Sequence, residues 1–150
     1  DGVTIWFNGE EIEVLHVPHG HTDGDAVIFF KRANVVHMGD QFFNGTFPFI
    51  DLASGGDLTG YVKNVADMIQ RIPANARIIP GHGPLATLDD LKAFHAMLAK
   101  STDIVRQAIA NGMTLEETKK AALPDEFKRY ASDDLDVDGW VEFVYGRLKK

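Results

Sequence analysis

Three short stretches hold the side chains best suited to metal chemistry: "HGHTDGD" with His19, His21, Asp23 and Asp25, "HMGD" with His37 and Asp40, and "PGHG" with His82. The chain contains no cysteine, so thiolate ligands, disulfides and a cysteine nucleophile are all excluded. What remains is imidazole and carboxylate, a donor set that holds zinc and also accepts iron or manganese. A divalent ion held this way lowers the pKa of water toward neutrality and polarises a carbonyl or phosphoryl oxygen. Taken one at a time, each stretch reads equally well as a turn, since Gly-Asp and glycine-flanked histidine are ordinary turn chemistry.

All three stretches fall where an apolar run stops, and those runs define the elements that must position them. "VTIWF", "IEVLHV", "AVIFF" and "VVHMGD" read as four short strands, and the tight connections "NGE" and "KRAN" make them an antiparallel meander. From Asp57 to Ile72 the period changes to helical, with Leu58, Tyr61, Val62, Val65, Met68 and Ile69 on one stripe and Pro73 as the stop. "SGGDLTG" lacks the lysine and spacing of a phosphate loop and reads as a turn leading into the N-cap of this helix. A fifth strand, Arg77 to Ile79, ends in a loop that holds His82. The order strand, helix, strand implies helices laid on a sheet.

The rest is helical. Leu88 to Ala110 is one long amphipathic segment capped by Thr87 and stopped by Asn111-Gly112; Thr114 with Glu117 is a capping box opening a helix to Ala122; Val137 to Leu148 puts Trp140, Val141, Val144 and Leu148 on one face. The 150 residues, 45% hydrophobic and 25% charged, suit one globular domain, sheet-rich over 1–86 and helical over 87–150. A net charge of -7 argues against nucleic acid as a partner. No apolar run reaches the roughly 18 residues of a membrane span. The composition leaves the compartment open, cytoplasmic or periplasmic.

"GHTDGD", "VVHMGD" and "IIPGHGP", in that order, resemble the third, fourth and fifth metal motifs of the metallo-β-lactamase superfamily. The adjacent "FPFIDLASGG" and the tail to "VYGRL" extend the likeness over nearly the whole chain. The resemblance implies a four-layer αβ/βα sandwich with a one- or two-zinc centre at the edge where its two sheets meet. By position His21 matches the histidine of the first metal, Asp40 the bridging carboxylate and catalytic residue, and His82 the histidine of the second metal. His19 is a further ligand candidate, standing where the family usually has Pro or Gly. Asp23 and Asp25 are candidates to orient the ligands from behind. His37 reads as a partly buried histidine bonded to backbone, and His16 and His95 as structural or solvated. The family's H-x-H-x-D-H run occurs nowhere in the sequence, and the chain opens on a strand. Both features lead to the expectation of the C-terminal half of the sandwich, an α/β unit with a mixed, mostly antiparallel sheet and helices on one face.

The activity implied by the resemblance is zinc-dependent hydrolysis of a small-molecule ester, thioester, lactone or lactam. The alternative is a non-catalytic half-domain that binds metal weakly or not at all. A half-sandwich also implies an open apolar sheet face, expected to carry Val27, Phe29 and Val36, which would seek the N-terminal half or a second copy as a homodimer.

Overall fold

The computed structural model describes residues 2–121 and 123–149. The chain divides into two compact units, one built from the residues up to Asn44 with Pro48–His95, the other from Gly45–Phe47 with the residues from Ala96 onward.

The first unit is a five-stranded sheet in the order β1-β2-β3-β4-β5. Strands β1 (Gly2–Phe7) and β2 (Glu10–His16) form a hairpin whose two turn residues, Asn8 and Gly9, both have positive φ, 49° and 77°. That is the turn whose twist matches the flanking strands, and Asn-Gly is its preferred sequence. Strands β3 (Ala26–Phe30) and β4 (Val35–Phe43) continue the antiparallel meander, as the sequence implies. After β4 comes α1 (Leu58–Arg71), and then β5 (Arg77–His82) lies parallel to β4. The Asp57 carboxylate caps α1 by accepting from the backbone N–H of Gly60 at 2.8 Å, and Ile72 ends the helix just before Pro73. Strands β4 and β5 both run past the lengths read from sequence and carry the metal-capable residues at their far ends.

Side-chain alternation divides the sheet into two faces. Val27, Phe29, Val36, Met38 and Ile78 are buried beneath the helices, where α1 contributes Leu58, Tyr61, Val65 and Met68 and the start of α2 contributes Leu91 and Phe94. The expectation that Val27, Phe29 and Val36 line an open face is therefore corrected: they are 0%, 4% and 2% exposed. The opposite face carries Val3, Ile5 and Phe7 of β1, all exposed, with half-buried Ile12, Val14, Ile28, Phe30 and Val35 in register beside them. Every residue of "AVIFF" is apolar, so the sequence carries no phase to say which parity faces the helices. A one-residue change of phase exchanges the two faces completely.

Helix α2 (Leu88–Ala110) starts in the first unit and ends in the second. In the second unit, Trp140 of α4 (Val137–Leu148) is fully buried, stacked on Phe47 at 5.2 Å, and its indole N–H donates to Ser101 Oγ at 3.0 Å. Helix α3 (Leu115–Ala121) opens with the anticipated capping box: Glu117 accepts from the Thr114 N–H and hydroxyl at 2.8 Å each, and Thr114 Oγ1 accepts from the Glu117 N–H. Ala122, read as the end of that helix, lies outside the described residues. A 3-10 turn, Asp125–Tyr130, was not anticipated; it follows Pro124, and its Phe127 and Tyr130 are buried.

Candidate metal centre

Asp40, His21 and His82 meet in the first unit. The Asp40 carboxylate lies between two imidazoles, with Oδ2 3.4 Å from His21 Nε2 and Oδ1 3.3 Å from His82 Nε2. Backbone irregularity produces this aim. The β4–β5 register shifts on both sides of Gly39, whose φ is +52°, and such a bulge re-aims the side chains that follow it. Gly81 makes room, since a Cβ there would collide with Asp40 Oδ1. From the opposite side, the fully buried Tyr61 of α1 donates its hydroxyl to the Asp40 carbonyl oxygen at 2.9 Å. Burial, and after it the Asp40 and Asp25 carboxylates, push the Tyr61 phenol well above its ordinary range, so the donor keeps its proton.

His82 ends β5 and stacks on Phe43, the rings 4.3 Å apart and 14° from parallel. His21 is held from both sides by one segment: its Nδ1 contacts the Phe49 carbonyl oxygen at 2.8 Å, and its own carbonyl accepts from the Asp51 N–H at 2.9 Å. The Asp51 carboxyl is kept below the usual carboxylate range chiefly by the Ser54 hydroxyl, then by the N–H groups of Ser54 and Ala53 and the charge of His21.

Glycine allows the close approach of these loops. A side chain at Gly20 would strike the Gln41 amide, one at Gly56 the His21 carbonyl, and one at Gly60 the His19 carbonyl. Behind the loop, Asp25 accepts from the Thr22 N–H and hydroxyl at 2.9 and 2.7 Å and from the amide of the fully buried Gln41. Asp25 therefore braces the His21 loop against β4 without touching the imidazole. Asp23 instead pairs with His19, whose Nδ1 is 3.2 Å from its Oδ1 on an exposed part of the loop. His19 thus stands with Asp23 and not with the Asp40 group, and its φ of +55° turns the backbone there. His37 accepts from the Gly39 N–H at 3.1 Å and is half-buried, the backbone-bonded role read from sequence. His16 Nε2 lies 2.6 Å from the Asp23 carbonyl oxygen.

The sequence reading missed the Phe49 carbonyl and Gln41. A backbone acceptor leaves no residue-type signal, and glutamine beside "GD" gives no pattern of its own.

Whether this set suits a metal follows from its donors. A carbonyl oxygen only accepts, so His21 Nδ1 carries the hydrogen and Nε2 is the nitrogen turned toward Asp40. Nε2, facing the Asp40 carboxylate at 3.4 Å, is then the nitrogen placed to ligate a cation. This is the tautomer and backbone anchoring that metal-bound histidines use. Among the described residues, no group of three or more His, Cys, Asp or Glu side chains is arranged to hold one ion. The carboxylate instead turns one oxygen toward each imidazole. Imidazole and carboxylate are donor types that a divalent ion accepts.

Residues 7–100 match the family model of the metallo-β-lactamase superfamily. The chain belongs to that superfamily, whose members usually bind metal ions. It is 32% identical over 95 residues to an uncharacterized protein of Aquifex aeolicus (strain VF5), covering 63% of this chain and 44% of that one. It is 31% identical over 81 residues to a protein of Streptococcus pyogenes serotype M6 named a probable metallo-hydrolase, covering 54% and 34%. Among solved structures, the stereoselective inverting sec-alkylsulfatase Pisa1 from Pseudomonas sp. is similar over 97% of this chain and 25% of its own, with a TM-score of 0.72 and 17% identity, a likeness of fold. The chain spans less than half the length of these curated relatives. No helix among the described residues is long and apolar enough to cross a membrane.

Proposed function

We propose that this chain carries one side of the metal site of a zinc-dependent hydrolase acting on a small-molecule ester, thioester, lactone or lactam. The observation that carries the reading is the Asp40 carboxylate with one oxygen toward each of two imidazoles, one of them anchored through Nδ1. His21, Asp40 and His82 would hold the zinc. Zinc supplies Lewis acidity and water made acidic enough to ionise near neutral pH. The residues of the chain orient the donors: Tyr61 and Gly81 fix Asp40, Phe49 and Asp51 fix His21, and Phe43 backs His82. His19 serves the outer loop through Asp23, and Asp25 braces the ligand loop from behind.

Catalytic zinc is usually held by three protein ligands; among the described residues these three are not gathered around one ion, which makes for weak binding. Calorimetric titration of the full chain is expected to show zinc uptake in the micromolar to millimolar range, lost in Asp40→Asn. No uptake by the parent chain over that range overturns the reading.

The open face of the sheet supports a second reading. Val3, Ile5 and Phe7, with Ile12, Val14, Ile28 and Phe30 beside them, form a continuous apolar surface of the kind that binds a partner. The chain then self-associates through this face, or docks there the remainder of a longer protein, and by itself binds metal weakly or not at all and turns over no substrate. Light scattering should report a mass above that of the monomer, and a clean monomer at high micromolar concentration counts against it.

A further inference from the structure

We propose that Phe49 is a specificity residue of the metal site, selecting substrates whose non-reacting part is apolar and uncharged, such as a medium-chain or aromatic acyl group. This rests on the zinc reading above and names the substrate class of that same site. Phe49 is 63% exposed although it lies between buried Pro48 and Ile50. The backbone around it is committed, because its carbonyl oxygen holds His21 Nδ1 and the N–H of Asp51 holds the His21 carbonyl. The exposed ring is therefore presented by a fixed segment, edge-on to His21 with the ring centroids 5.9 Å apart. Phe43 lies under the other side of the group, stacked on His82 and 6.3 Å from the His21 ring. The His21, Asp40 and His82 donors thus sit beside an apolar surface with one exposed aromatic ring. The Asp51 carboxylate, two residues along and held by Ser54 and Ala53, repels an anionic tail on that side. An apolar group laid on Phe49 leaves water while the reacting end lies toward the metal site beside His21. Binding from such a remote part of a substrate is what a hydrolase uses to place the reacting bond.

The test uses the carboxylic acid products of the proposed reaction, so no turnover is required. Hexanoate and acetate are titrated into the zinc-saturated full chain, with affinities read by calorimetry and by amide shifts in NMR. The parent chain is expected to prefer hexanoate by about tenfold, the low end of what one methylene gives in an enclosed pocket, because the Phe49 ring is open to water on one face. In Phe49→Ala the preference, read as the ratio of the two acids' affinities in the same zinc-saturated protein, falls to within about twofold. Phe49→Leu restores part of the preference. Equal affinity for the two acids in the parent chain, or an undiminished preference in Phe49→Ala, overturns the inference and leaves the zinc reading standing. Absence of zinc uptake by the parent chain overturns both.

Discussion

Replacing Tyr61 with Phe removes one oxygen atom and little else, so it isolates the bond that ties α1 to Asp40. The ring is fully buried and keeps its packing against Phe94; what disappears is the 2.9 Å bond to the Asp40 carbonyl. A partly buried carbonyl that loses its donor costs about 1–2 kcal/mol. For a chain of this size each kcal/mol corresponds to roughly 2–4 °C in Tm, giving a fall of about 2–8 °C near neutral pH. The pH dependence sharpens the test. Folding raises the Tyr61 phenol above its ordinary value, first through burial and then through Asp40 and Asp25. Above about pH 10 the unfolded chain releases this proton while the folded chain keeps it, so stability falls with rising pH by up to about 1.4 kcal/mol per pH unit. The Phe variant lacks that loss, and the other two tyrosines are common to both proteins. Urea unfolding from pH 8 to 11, with a chelator present, should show the stability difference shrinking toward zero as pH rises. A difference constant across the range, or a variant as stable as the parent at pH 8, would refute the reasoning.

Gly60→Ala should destabilise by about 1–3 kcal/mol, because the new Cβ meets the His19 backbone carbonyl and not a side chain free to move; it should also weaken zinc uptake, read in the same calorimetric titration. Ser101→Ala leaves the fully buried Trp140 indole N–H without its acceptor and should cost about 1–3 kcal/mol, with a shift in Trp fluorescence that leaves zinc affinity unchanged.

The sequence carried the grouping of His21, Asp40 and His82 better than it carried the contacts that support it. His21, Asp40 and His82 were legible because each stands beside a glycine at the end of an apolar run, and loops at strand ends are where a layered α/β fold gathers side chains. Helix α1 was legible from a clean stripe and a capping Asp57. The sheet faces were not: "AVIFF" is apolar at both parities, and only tertiary packing decides which parity the helices cover. The separate fates of His19 and His21 also escaped the sequence. Two residues apart on a strand they would point the same way, but positive φ at His19 breaks that relation and sends it to Asp23. The Phe49 carbonyl, which fixes the tautomer of His21, comes from a segment 28 residues away and has no counterpart in local pattern.

Among the described residues strand β1 pairs on one side only, with β2, and its six residues, Gly-Val-Thr-Ile-Trp-Phe, include neither a charge nor a proline. Natural sheets guard such borders with lysine, proline or a twist, because bare amide and carbonyl groups are a template for any extended peptide. Handling of the isolated chain is therefore governed by β1 more than by the metal site. Oligomers and fibrils should seed from Gly2–Phe7, and a single lysine at Thr4 would keep preparations dispersed without disturbing a ligand.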